Sequence, residues 1–381
     1  MTCCILLLIS NLDSSDKIIN WLILTNNFRI MELDEQKLHA LLGKVVVEMG
    51  AAANGPLITI GDKLGLYKSL SELGPMSAAQ LAKATETAER YVREWLAAQS
   101  ASGYVEYDNV NDTFFMTPEQ TAAFGDKNSP VFMTGAFYAI TSLYHDEPKM
   151  VEAFKSGEGI SWGNHNKCLY CGTEKFFSPS YEGNLISSWI PSLSGVEEKL
   201  KKGAKVADIG CGHAASTIIM AKAFPNSTFL GIDFHDKSIE QAKLKAKASG
   251  VNNISFQVST AKDLPGDGYD LITFFDCLHD MGDPVGACAH VKEALKADGT
   301  CMIVEPFAHD TLKDNLNPVG RAFYAFSTQL CVPCSINQEV GLALGAQAGE
   351  KRLKDAITSG GFSHFRRATE TPFNLILEAR P

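Results

Sequence analysis

Val206-Ala207-Asp208-Ile209-Gly210-Cys211-Gly212 decides the fold of this 381-residue chain. A short apolar run ends in two glycines one residue apart, and helical spacing resumes over residues 216–224. Glycine tolerates the positive φ of a tight strand-to-helix turn and lets the backbone approach a ligand closely, while the first turn of the helix presents N–H groups without partners. Gly-x-Gly alone is weak evidence. Its weight rises with Leu230-Gly231-Ile232-Asp233, which ends the next apolar run about twenty residues on with a carboxylate able to accept both hydrogen bonds of a ribose diol. Together the two motifs point to a nucleoside-containing cofactor. Gly210-Cys211-Gly212-His213-Ala214-Ala215 also satisfies the relaxed dinucleotide pattern G-x-G-x-x-G/A, so these residues by themselves leave the kind of cofactor open.

Outward from this turn, apolar runs at 205–209, 228–232, 254–258, 269–275 and 300–305 read as strands. Segments 216–224, 238–249 and 285–295 between them read as helices. That alternation predicts βαβ units and a parallel sheet covered on both faces.

Asp208 two positions before Gly210, Asp233 at its strand end, and Tyr269-Asp270-Leu271-Ile272 leading into Phe275-Asp276-Cys277-Leu278-His279-Asp280 together resemble the class I S-adenosylmethionine (SAM)-dependent methyltransferases. The resemblance implies an α/β fold class, a Rossmann-like seven-stranded methyltransferase sheet closed by an antiparallel pair at 365–368 and 374–379, with S-adenosyl-L-methionine as cofactor. It assigns Asp208 to organising the glycine loop around the methionine moiety and Asp233 to the ribose. Gly210, Gly212, Phe234, Thr260, Ala261 and Asp276 complete the expected cofactor contacts. One departure stands out: family members often place an Asp after the third strand to meet the adenine amino group, and here Thr260 occupies that position.

Upstream, Leu38, Leu41, Leu42, Val45, Val46 and Met49 mark one helix face, 60–70 a second helix, and Ser77 a capped helix start; a turn at Thr85 leads into a helix through Trp95. Residues 104–107 and 113–116 then read as a hairpin, and helix, turn, helix, hairpin is the order of a winged helix. The expected organisation is an extension over 1–30, a winged-helix-like domain over 31–128, helical connections lining a pocket over 129–200, and the SAM-binding domain over 201–381. Its aromatics, Phe137, Tyr138, Tyr144, Trp162, Phe176, Phe177 and Tyr181, with Phe323, Tyr324 and Phe326, are expected to make that pocket largely apolar.

This arrangement is similar to small-molecule O-methyltransferases with an N-terminal winged-helix dimerisation domain. Their His-Asp motif is matched by His279-Asp280 and their post-strand Glu by Glu305. The resemblance makes His279 the base that takes the acceptor's proton and Glu305 its orienter; the Trp usual after His-Asp is Met281 here. His145, His165 and His213 are lesser candidates.

A formal net charge of −10 disfavours a nucleic-acid partner, because that affinity comes largely from Lys and Arg neutralising phosphates. The rival reading of 77–103 as the helix-turn-helix of a transcriptional regulator meets eight Lys and Arg against fourteen Asp and Glu over residues 31–130. A protein that binds SAM without catalysis is a third reading. Ten cysteines are too few for a disulfide scaffold in a chain of this length. Cys168-x-x-Cys171 and Cys331-x-x-Cys334 raise a zinc reading, against which four unlinked thiols and no metal are expected. The apolar runs at 5–9 and 18–24 are too short to span a bilayer. A cytoplasmic homodimer acting on a small molecule, with no membrane partner, is the expectation.

Overall fold

A computed structural model describes residues 33–381, so the expectation for residues 1–30 lies outside the described residues. The chain divides into two compact units after Ala53. In the first, Asp34 caps the start of helix α1 (Glu35–Lys63) by accepting from the Lys37 N–H. Leu41, Val45, Val46 and Met49 of its apolar face are exposed. Among the described residues α1 is the one helix long and apolar enough to cross a membrane.

The second unit begins with the last turns of α1. The sequence predicts a helix over 60–70, whereas α1 runs on through Pro56 to Lys63 and α2 (Leu66–Leu73) starts after Gly65, whose φ is +68°. The break falls at the glycine because only there does the backbone adopt the left-handed conformation that interrupts a helix. Ser77 and Gln80 form a reciprocal capping box at the start of α3 (Ala78–Ala84), and α4 (Glu89–Ala101) follows. Strands β1 (Glu106–Asp108) and β2 (Thr113–Phe115) pair antiparallel as the wing. Ile58, Leu66, Tyr67, Leu70, Leu81, Trp95 and Leu96 form the core of this part.

Two long helices come next, α5 (Thr134–Ser156) and α6 (Cys168–Asn184). The segment read as helical connections holds these two long helices, packed closely against each other. A Cβ on Gly135 would lie 2.4 Å from the Lys175–Phe176 backbone, and one on Gly172 would lie 2.4 Å from the Ala139 nitrogen. Small residues carry this interface, so no stripe of large apolar side chains announces it.

After α7 (Val196–Lys202) the sheet begins: β3 (Lys205–Ile209), α8 (Ala215–Ala223), β4 (Thr228–Asp233), α9 (Asp236–Ala248), β5 (Ile254–Val258), β6 (Tyr269–Phe275), α10 (Pro284–Ala294) and β7 (Leu295–Pro306). Helices α11 (Pro318–Phe326), α12 (Val332–Ile336) and α13 (Gly349–Ser359) precede the closing strands β8 (His364–Glu370) and β9 (Asn374–Arg380). The order is β5-β4-β3-β6-β7-β9-β8, parallel from β5 to β7 and antiparallel for β9 and β8, as the resemblance implies. Ala207 and Ile209 face a core with Val291, Leu353 and Ile357, and Val206 faces one with Leu200, Met220 and Phe224 on the other side. The chain winds outward from β3 in one direction and then returns to add β6 on its other side. Ligands of open α/β sheets bind at the carboxyl ends of the two strands flanking such a switch.

Candidate active site

A cavity of about 620 Å³ opens at that switch point, walled by the loop after β3, the ends of β4 and β6, the 260s turn and one face of α6. Its shape begins with Gly210, which has φ +67° and packs so that a Cβ would meet Cys277 Sγ at 2.8 Å. Any larger residue would push the turn away from β6.

Asp208 sits behind this turn, 1 % exposed. Its Oδ2 accepts from Ser216 Oγ at 2.8 Å and Thr217 Oγ1 at 2.6 Å, and its Oδ1 accepts from Thr273 Oγ1 at 2.8 Å. Burial pushes its pKa up to about 6 against the pull of those hydroxyls. Asp208 does not border the cavity. It is a tie that joins β3, α8 and β6 behind the glycine turn.

Asp233 borders the cavity. Its two oxygens accept the Gly212 N–H at 2.9 Å and the His235 N–H at 2.8 Å, which fixes the carboxylate while leaving one lone pair on each oxygen for a ligand. Burial raises its pKa and the two N–H bonds oppose the rise. Gly210, Gly212, Phe234, Thr260, Ala261 and Asp276 also line the cavity. Phe234 is 52 % exposed, a flat apolar ring beside Asp233.

A carboxyl group stands next to Thr260 in the fold. A 3₁₀ turn (Ala261–Asp263) brings Asp263 into the wall, where Thr260 Oγ1 donates to it at 2.6 Å. Sequence reasoning missed Asp263 because it looked at one position, whereas the turn carries the carboxylate back to that place. It also missed Glu174 of α6, which pairs with His213 at 2.8 Å and with Lys245. No local motif marks Glu174.

Asp276 ends β6 with φ +50°, a backbone conformation that a non-glycine residue holds only where its surroundings enforce it. Tyr181 Oη donates to its Oδ2 at 2.8 Å and Asn374 Nδ2 to its Oδ1 at 3.0 Å. Burial, and then the nearby charge of Glu305, raise its pKa to about 8. Of the aromatics expected around the pocket, Trp162, Phe177 and Tyr181 border it; Phe137 packs on the winged-helix core, and Phe323 and Phe326 pack among Leu169, Leu330 and Cys331. Glu174, Asp233, Asp263, Asp280, Asp283 and Glu339 line this space together with Lys262 and His213, so the field favours a cation.

His279 and Glu305 are held together as expected: Glu305 Oε2 lies 2.5 Å from His279 Nδ1, and Oε1 accepts the Leu278 N–H at 3.0 Å. Their position differs from the expectation. Both are buried and neither borders the cavity; Asp280 does, and its Oδ1 stands 3.1 Å from His279 Nε2. Burial pulls the imidazole's pKa down, but the charges of Asp280 and Glu305 more than offset it, and the ring is held well above its ordinary value. The ring thus sits between the Glu305 and Asp280 carboxyl groups, whose charges favour its protonated form. The two Cys-x-x-Cys pairs do not gather into one ligand set. Among the described residues the donor cluster is His279, Asp280 and Cys331.

Known proteins resemble this chain in the same two parts. Residues 200–348 match the model of a methyltransferase domain, and residues 52–125 that of an Rv2258c-like winged HTH domain. A demethylmenaquinone methyltransferase of Staphylococcus carnosus is 32 % identical over 110 residues, 28 % of this chain and 45 % of that protein. The chain thus spans about half the length, or less, of the curated relatives it matches. Among solved structures, human N-acetylserotonin methyltransferase in complex with SAM superposes with a TM-score of 0.64 at 14 % identity, covering 93 % of this chain and 99 % of that one. The mitomycin 7-O-methyltransferase MmcR superposes with a TM-score of 0.64 at 17 % identity, covering 91 % and 100 %. At such identities the likeness is one of fold, and it extends over both parts of the chain.

Proposed function

We propose that this chain, a winged-helix domain joined to a methyltransferase domain, moves the methyl group of S-adenosylmethionine onto a hydroxyl of a small acceptor molecule. The observation that carries the reading is the acidic cavity at the β3/β6 switch point, with Asp233 held by two backbone N–H groups and still able to accept a ribose diol. The donor set fits the cofactor: carboxylates for two hydroxyls, an amino group and a sulfonium, and the Phe234 ring for an adenine face. When bound, SAM supplies an electrophilic methyl carbon on a positively charged sulfur.

What the chain contributes is alignment and proton management. Asp233 accepts the ribose hydroxyls, Asp263 with Thr260 meets the adenine edge, and the Gly210–Gly212 turn, set from behind by Asp208, holds the methionine end near Asp276. His279 would be the base: the acceptor hydroxyl would replace Asp280 at Nε2 and pass its proton from the hydroxyl oxygen to that nitrogen, while Glu305 would hold the other ring proton on Nδ1. The carboxyl groups around the ring favour its protonated form, so the neutral, proton-accepting ring gains population as pH rises and the rate is expected to rise with it.

Replacing Asp233 with alanine is expected to weaken both SAM and its demethylated product by roughly 1.5–3 kcal/mol, the range for hydrogen bonds to a charged group. Titration calorimetry checks this; unchanged affinity removes Asp233 from the site, and tight NADH binding without SAM binding overturns the assignment.

The proposal includes a cytoplasmic homodimer that binds neither DNA nor membrane. Two features of the winged helix support it. On α4, Arg90 pairs with Glu94 at 2.6 Å and Arg93 with Glu89 at 3.1 Å, so the cations a phosphate would need are already neutralised. Exposed Leu41, Val45, Val46 and Met49 offer apolar area for self-association. Light scattering at micromolar concentration is expected to give twice the chain mass at low and high salt. A monomer, or retention on DNA that falls steeply with salt, counts against the reading.

A further inference from the structure

Behind the cavity wall, one donor atom each of His279, Asp280 and Cys331 lies within 4.8 Å of the other two. We propose that these side chains form a binding site for a divalent cation of the zinc class, with His279 Nε2, Asp280 Oδ1 and Cys331 Sγ as ligands and a fourth position toward the cavity. The inference goes beyond methyl transfer, and its regulatory consequence rests on the reading of His279 as the base.

The first support is the shell behind His279. Glu305 occupies Nδ1 at 2.5 Å, and a carboxylate on one ring nitrogen is the arrangement that orients metal-binding histidines with the other nitrogen free. The second is Asp280. Its Oδ1 is buried and makes no hydrogen bond, since the 3.1 Å approach of Nε2 is too poorly aligned to be one. A divalent cation bound at Nε2 would take the place of the ring proton as the positive charge facing this oxygen, and would bond to it directly. The third is Cys331, 4 % exposed at the end of a π-helical turn (Ser327–Cys331), where one extra residue in the helix redirects the side chain.

A thiolate, an imidazole and a carboxylate together suit zinc, whereas magnesium and calcium take oxygen. Metal–ligand bonds of about 2.0–2.3 Å put tetrahedral ligands roughly 3.3–3.8 Å apart, so the cluster needs to contract by no more than about 1.5 Å. Binding forms the sulfur–metal and nitrogen–metal bonds as the thiol proton and the Nε2 proton of the ring pass to the buffer. Of the three ligands Asp280 borders the cavity, so a fourth ligand from solvent would reach the metal past it. Three protein ligands and one open position is the pattern of an accessible zinc site. The metal takes the nitrogen that the reaction needs, so zinc occupancy silences methyl transfer.

The test uses the full-length protein with Zn²⁺ in calorimetry and Co²⁺ in absorption spectroscopy. One Zn²⁺ per chain is expected, with a sulfur-to-cobalt charge-transfer band on Co²⁺ loading. Cys331→Ser abolishes the band, Glu305→Gln weakens metal affinity roughly 10–100-fold, and Cys168→Ser/Cys171→Ser leaves both readouts intact. A band that survives in Cys331→Ser, or no stoichiometric metal, overturns the site. Turnover separates the two readings: Zn²⁺ is expected to inhibit the wild type and to spare Cys331→Ser, which keeps its metal-free rate. Metal binding with unaffected methylation leaves the site standing and removes His279 as the base.

Discussion

Replacing His279 with alanine is expected to lower turnover by roughly 10²–10⁴-fold, the usual contribution of a positioned base. SAM affinity is expected to change little, because the ring is buried behind the cavity and does not border it. The readout is the demethylated cofactor released at saturating SAM with a panel of small phenols as acceptors. His279→Gln fills the same volume without a basic nitrogen and is expected to lose as much rate, which separates loss of the base from collapse of the site. Glu305→Gln does less harm, since it leaves the ring present but poorly held. The pH profile adds a sign. The folded ring's pKa is raised by Asp280 and Glu305 in spite of burial, so the neutral, proton-accepting form grows as pH rises. In the wild type kcat/KM is expected to climb toward alkaline pH, and in Asp280→Asn, which removes one of the two charges, the climb begins at lower pH. An unaffected rate in His279→Ala at saturating SAM and acceptor ends the base proposal.

The second large effect is on stability. Asp208→Ala removes the acceptor shared by Ser216, Thr217 and Thr273, all of them buried. Leaving buried hydroxyl groups without their acceptor costs about 1–3 kcal/mol each. Urea unfolding of the cofactor-free protein reads this as a lower midpoint with an unchanged slope; a shift of under about 0.5 kcal/mol, the range of an inconsequential surface change, refutes the tie. Asp208→Asn keeps an acceptor and is expected to lose less. Here too pH has a direction. The folded carboxyl titrates at about 6 against 3.8 for the free group, so between those values the native state holds a proton that the unfolded chain has released. Wild-type stability therefore falls as pH rises from about 4 to about 6, and Asp208→Asn removes that part of the slope.

What the sequence by itself determined is the sheet and the cofactor side of the site. Strands and glycine turns are local: β3, β5 and β6 have the bounds that their apolar runs predict, and Gly210, Gly212 and Asp233 meet at one cavity because the βα turn and the next strand end are short neighbours in any parallel sheet. The tertiary structure decided everything that depends on what stands opposite. Asp208 turned inward because three hydroxyls from α8 and β6 converge on it. The small-residue contact of α5 and α6 carries no periodic signal, yet it places Glu174, Phe177 and Tyr181 in the wall. Asp263 reached the cavity through a turn that spacing alone does not reveal. His279, chosen by motif, came to rest between Glu305 from β7 and its own neighbour Asp280, beside Cys331 from fifty residues further along the chain. A charged ring settles where opposite charges meet it, and which charges meet is a property of the folded chain, with no counterpart in the order of its residues.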